Sequence, residues 1–141
     1  MCENGISYLE MMKPLLFLLV FFTQIPSSYT LQGDIIDSLS VQFKAGNTKE
    51  IAASFSSSVE LIIIDDEDVY SKAQAEQILR NFFTKYTPVK SSVIHLINTN
   101  PNFRFGILSL QTKNGKFRVS ITMKKTANAF FITELRIEPD K

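Results

Sequence analysis

Apolar residues recur at helical spacing over much of the chain as far as Tyr86, and at strand spacing beyond Pro88. Asp34 is placed to cap a first helix carrying Ile35, Ile36, Leu39 and Phe43, with Gly46 as its stop. Asn47-Thr48-Lys49-Glu50 has the form of a capping box and opens a shorter helix through Ile51, Ala52 and Phe55. Val59 to Ile64 reads as a strand buried on both faces. An acidic turn, Asp65-Asp66-Glu67-Asp68, leads into a short extended piece, Val69-Tyr70.

The strongest helical signal follows. Ser71 and Gln74 form a capping box, and Ala75, Ile78, Leu79, Phe82, Phe83 and Tyr86 fall on one face before Pro88 ends the helix. Four strands are predicted after it, over Ser92–Asn98, Arg104–Thr112, Lys116–Lys125 and Ala129–Glu138. Asn114-Gly115 predicts a type I′ hairpin turn between the second and third of these. The third strand alternates cleanly, with Phe117, Val119, Ile121 and Met123 inward. In the last, Phe131, Leu135 and Ile137 are expected on one face, with Glu134, Arg136 and Glu138 mostly on the other. The pattern is α+β, in the order α-α-β-α-β-β-β-β. It predicts three helices on one face of a strongly curved antiparallel sheet.

The N-terminal segment has a different character. Met12-Lys13-Pro14, the apolar run Leu15 to Phe22 and the small residues of Ser27-Ser28-Tyr29-Thr30 have the layout of a secretory signal peptide. The run is shorter than the roughly 20 apolar residues that a membrane span needs. Glu3 and Glu10 fit poorly ahead of such a run, so translation is expected to start at Met11 or Met12. Cleavage is expected after Thr30, with Ser27 or Ser28 as the alternative. Residues 1–30 are then an address, and residues 31–141 a single secreted or periplasmic domain with no stable membrane anchor. Cys2 is the one cysteine and precedes the run, so the processed chain would carry no disulfide.

From Leu31 onward, 14 Lys and Arg face 12 Asp and Glu, a balance without the concentrated basic stripe of a nucleic-acid binder. The outward Arg118, Lys124 and Arg136, with Lys113, Lys116 and Lys125, could attract an anionic envelope component. Interleaved Glu134 and Glu138 make cross-strand ion pairing the simpler account. Asp65 to Asp68 has the density of a calcium loop but not its alternate spacing, its glycine or its distal Glu. One histidine and no cysteine in the processed chain do not make a structural zinc site. Neither a nucleophile motif nor a phosphate loop nor a dinucleotide fingerprint is present, and no cofactor or metal is expected.

Several short motifs carry a resemblance: Gly46-Asn47, Val69 to Glu76, Phe82-Phe83, Val93-Ile94-His95, Phe105-Gly106, Gly115 to Val119 and Leu135 to Glu138. With the element order, they make the chain similar to the nuclear-transport-factor-2-like superfamily, a cystatin-like cone. Within it, the chain resembles a family of secreted bacterial domains of unknown function. After the histidine the resemblance implies a polar residue and glycine, where this chain has Leu96-Ile97-Asn98.

The resemblance implies a cone that is often partly hollow, which makes Phe83, Tyr86, His95, Phe105 and Phe117 candidates for a pocket lining. Non-enzymatic binding of an apolar or amphipathic small molecule is the function expected first. An isomerase-, dehydratase- or hydrolase-like enzyme is the alternative, with His95 and Asp65 or Glu60 as base and Tyr70 or Tyr86 as hydrogen-bond donor. A homodimer or other interaction module using the outer sheet face is the third. The sole histidine, His95, reads first as a group hydrogen-bonded in or beside the core.

Overall fold

The computed structural model describes residues 33–141; the expected leader, Cys2 and the cleavage site lie outside the described residues. Asp34 opens helix α1 (Ile35–Ala45): its side chain accepts from the Ile36 amide while the Asp37 side chain answers at the cap backbone. Gly46 closes it in the left-handed conformation. Helix α2 (Thr48–Ala53) is capped by Asn47, which accepts from the Glu50 amide. Helix α3 (Lys72–Lys85) starts at Ser71, and both halves of its capping box with Gln74 are formed.

Six strands build one sheet: β1 (Phe55–Ile63), β2 (Asp66–Ser71), β3 (Pro88–Ile97), β4 (Phe103–Thr112), β5 (Gly115–Thr126) and β6 (Ala129–Pro139). Their order is β2-β1-β6-β5-β4-β3, with β2 and β3 at the open edges. Every pair is antiparallel except β1 with β6. The sheet is therefore mixed where pattern predicted it antiparallel, because β6 returns beside β1 after the long crossover that a parallel pair requires.

Two further differences come from local chemistry. Phe55 starts β1 instead of ending α2, and as a strand residue it is fully buried. The acidic segment is not a long turn. Only Ile64 and Asp65 connect β1 to β2, and Asp66, Glu67 and Asp68 pair with Ile63, Ile62 and Leu61. Ile64 takes φ 58°, a left-handed conformation that is costly for a β-branched residue.

The hairpin between β4 and β5 also turns differently. Thr112 pairs with Gly115, so Lys113 and Asn114 are the turn residues and only Gly115 has positive φ. The Thr112 hydroxyl braces this turn by donating to the Gly115 carbonyl at 2.7 Å and accepting from the Asn114 amide at 3.2 Å. Asn114 spends its side chain on the end of α3, donating to the Lys85 carbonyl at 3.0 Å. The two consecutive positive-φ residues expected of a type I′ turn occur one hairpin later, at Ala127 and Asn128.

Single-residue bulges decide which side chains face inward. In β6, Thr133 is the extra residue between Ile132 and Glu134. It places Ile132 in the core with Leu135 and Ile137, and leaves Phe131 half-buried outside that row. In β3, Ile94 is the extra residue, so Val93 and Leu96 both pack against the core while His95 pairs with Ile107 on the other face.

The core lies between the helices and one face of the sheet. Phe43 of α1 meets Phe83 of α3 edge-on at 5.9 Å between centroids, and Phe82 meets Phe117 of β5 at 5.1 Å. Tyr86 packs on Phe117 at 4.8 Å. At the other end, α1 rests on β4 through Ile36 and Gly106. A methyl group on Gly106 would lie 2.5 Å from Ile36 Cγ2, so only glycine allows this approach.

Gly106→Ala is accordingly expected to destabilise the domain by about 1–3 kcal/mol, the usual cost of overpacking a close contact. Loss of the α3 cap in Ser71→Ala should cost about 1 kcal/mol. Urea unfolding midpoints at unchanged slope would register both, and a wild-type midpoint for Gly106→Ala would show that α1 is not seated there.

Candidate functional site

A groove of about 560 Å³ lies between α3 and the β1–β2 hairpin. It is reached by following the register. Val59, Leu61 and Ile63 point from β1 toward the helices, and their partners Tyr70, Asp68 and Asp66 share that face of β2. Across from them, Ile78, Asn81, Phe82, Lys85 and Tyr86 lie on one side of α3 and its end. Leu61, Ile63, Ile78 and Phe82 make the wall apolar, while Asp65, Asp66, Asn81 and Lys85 supply polar groups. Ile64 closes the turn end; its amide donates to the Ile137 carbonyl at 2.8 Å. The left-handed turn thus holds an apolar side chain at the groove in place of the glycine that this conformation favours.

Of the residues singled out from sequence, Asp65, Tyr70 and Tyr86 line this groove. Phe83 is buried against Phe43, and Phe117 is buried beneath Phe82 and Tyr86. Phe105 is half-buried on the opposite face of the sheet, between Thr122 and Ile97. His95 is exposed on edge strand β3, because the Ile94 bulge turns it away from the helices. Four strand spacings separate β3 from β1, roughly 19 Å along the sheet. His95 therefore makes no pair with Glu60, and Asp65 lies at the far end of the same sheet. Ile64, Ile78, Asn81 and Lys85 were not singled out. For the last three the signal was present in α3, where residues 78, 81, 82 and 85 recur at helical spacing.

The outer sheet face carries a separate polar row. Glu60 on β1 has Val69 beside it on β2 and Glu134 beside it on β6, with Glu67 and Arg136 one row away. Its carboxyl is pushed above the ordinary range, first by a hydrogen bond shared with Glu67, then by partial desolvation and the nearby negative charges; Arg136 opposes the shift. Arg136 itself bonds Glu138 at 3.3 Å and lies 3.7 Å from Glu134. A second hollow of about 350 Å³ lies beside Phe55, Lys72 and Phe131, where Lys72 donates to the Ala53 carbonyl. Among the described residues no group of three or more His, Cys, Asp or Glu is placed to hold a metal ion. No helix among them is long and apolar enough to cross a membrane.

Residues 36–138, nearly the whole sheet-and-helix unit, match the family model of a domain of unknown function, DUF4783. The chain belongs to the DUF4783 family. Solved structures agree. A DUF4783 protein from Bacteroides uniformis is 28% identical, with a TM-score of 0.73 over 77% of this chain and 99% of its own. One from Bacteroides fragilis is also 28% identical, with a TM-score of 0.70 over 76% of this chain and 100% of its own. A domain of unknown function with a cystatin-like fold from Nostoc punctiforme, 12% identical, aligns at a TM-score of 0.60 over 75% of this chain and 73% of its own. At that identity it shows the fold alone, a cystatin-like one. No curated protein matches this DUF4783 chain.

The raised Glu60 pKa has a defined sign in this DUF4783 domain. The folded state holds the Glu60 proton more tightly than the unfolded chain, so this contribution to stability is present in acid and lost as pH rises through the raised value. Glu60→Gln should flatten that part of the stability–pH profile. Urea midpoints for the two proteins between pH 4 and 7 test this, and parallel profiles would remove Glu60 as the source.

Proposed function

We propose that this domain binds a small apolar or amphipathic molecule in the groove between α3 and the β1–β2 hairpin, without acting on it chemically. The observation that carries this reading is the groove itself. Its volume of about 560 Å³ lies in the range of small-molecule sites. It also combines an apolar wall with a few polar groups, on the hairpin and on α3. The exposed His95, distant from Asp65 and Glu60, lends no support to acid–base chemistry. The setting in this reading is the periplasm or the cell exterior, supported by the apolar run Leu15–Phe22 and its flanking residues.

A second reading uses the outer sheet face as a contact between two copies of the chain. Val69, Glu60, Glu134, Thr122, Phe105 and Ile97 form one row across all six strands, Arg136 lies in the adjoining row, and Arg118 lies one row beyond it. Apolar ends beside mixed charge suit a self-complementary surface.

Both readings are open to direct measurement. Nile red, an uncharged apolar dye, should bind the folded protein saturably, and Ile78→Lys should weaken that binding about tenfold or more, equivalent to about 1.4 kcal/mol. Phe105→Ala, on the other side of the sheet, should leave it unchanged. Saturable dye binding indifferent to Ile78→Lys would exclude the groove. For the second reading, sedimentation should show a dimer that Phe105→Glu converts to monomer; a monomeric wild type removes it.

A further inference from the structure

The charges around the groove are unequal, and their arrangement points to the class of molecule that fits. Asp65 and Asp66 line it directly, and Asp68 follows Asp66 on the same face of β2. Among the described residues no cation lies within ion-pair distance of any of these three carboxylates. Lys85 is the one cationic side chain among the lining residues, and it stands on α3, across from the acidic hairpin.

The aromatic rings reinforce the sign. Tyr70, Phe82 and Tyr86 all line the groove, and the faces of such rings attract cations. The Lys85 ammonium already lies 5.5 Å from the centre of the Tyr86 ring. An anionic headgroup placed between α3 and the hairpin would meet two unpaired carboxylates and one ammonium. A cationic headgroup there would meet complementary charge and ring faces, while its tail covered Leu61, Ile63, Ile78 and Phe82.

We infer that the groove selects an amphipathic cation, an amine or quaternary ammonium carrying a short apolar tail, with Asp65 and Asp66 receiving the head. This rests on the small-molecule reading above and narrows it. Lys85 acts against binding in this arrangement, since it repels the head and occupies the Tyr86 ring.

Three probes of matched tail separate the inference from the reading beneath it. Octyltrimethylammonium, octanesulfonate and octanol, each below any micelle concentration, would be titrated into the full chain by calorimetry and by NMR. The cation should bind at least about tenfold more tightly than the sulfonate, a difference of about 1.4 kcal/mol. Rising salt should narrow the gap. Asp65→Asn combined with Asp66→Asn should bring the ratio toward one with an unchanged circular dichroism spectrum. Lys85→Gln should raise cation affinity several-fold, which provides a test independent of the carboxylate variant. Sulfonate binding equal to or tighter than the cation would overturn the inference. So would a cation preference that survives the double Asp→Asn change. Octanol bound with sensitivity to Ile78→Lys but no preference between the ions would refute only the headgroup assignment. Failure of all three probes to bind at the groove would refute the small-molecule reading itself.

Discussion

The edge-on packing of Phe82 and Tyr86 on Phe117 fixes where helix α3 lies, and the groove follows from it. Phe43 on α1 holds the same helix from its other side through Phe83. These rings contribute area burial plus a geometric preference for edge-to-face contact, so α3 has little freedom to roll. Anchored over β5, the helix presents Ile78, Asn81 and Lys85 toward β1 and β2 without closing on them. The hollow is thus what remains when a helix is fastened at one side of a curved sheet and the sheet continues past it.

Bulges provide the second level of control. A strand repeats every two residues, so one extra residue inverts every side chain that follows it. At Ile94 this moves the single histidine from the face of Val93 to the outside. At Thr133 it gives the core Ile132 in place of Phe131. Neither event changes the sequence pattern that a reader sees, yet together they decide which chemistry the interior contains.

Much of the fold was legible for local reasons. Asp34, Asn47 and Ser71 cap their helices because a short oxygen-bearing side chain before an apolar period has few other local roles. The alternation of β5 survives intact because that strand is central and one-sided. The family motifs from Gly46 to Glu138 gave the cone. What pattern missed was non-local. The parallel β1–β6 contact depends on a crossover, and the extension of β2 depends on a partner strand supplying ladder bonds to acidic residues of low strand propensity. The candidate site was half legible: Tyr70, Tyr86 and Asp65 reached the groove, but His95, Phe105, Phe83 and Phe117 went elsewhere. Aromatic content does not distinguish a lining ring from a packing ring; placement does.

The acidic strand β2 has a consequence for how the molecule behaves in a crowd. It is one of two open margins of the sheet, and an unpaired row of backbone groups invites another chain to add a strand. Asp66, Glu67 and Asp68 surround that margin with like charge, while Pro88, Lys90 and the Ile94 kink roughen the opposite one. Colloidal self-avoidance and the electrical character of the groove are consequently written in the same few codons. Drift that altered one would be felt by the other, which ties the self-avoidance of the chain to the charge at the mouth of its groove.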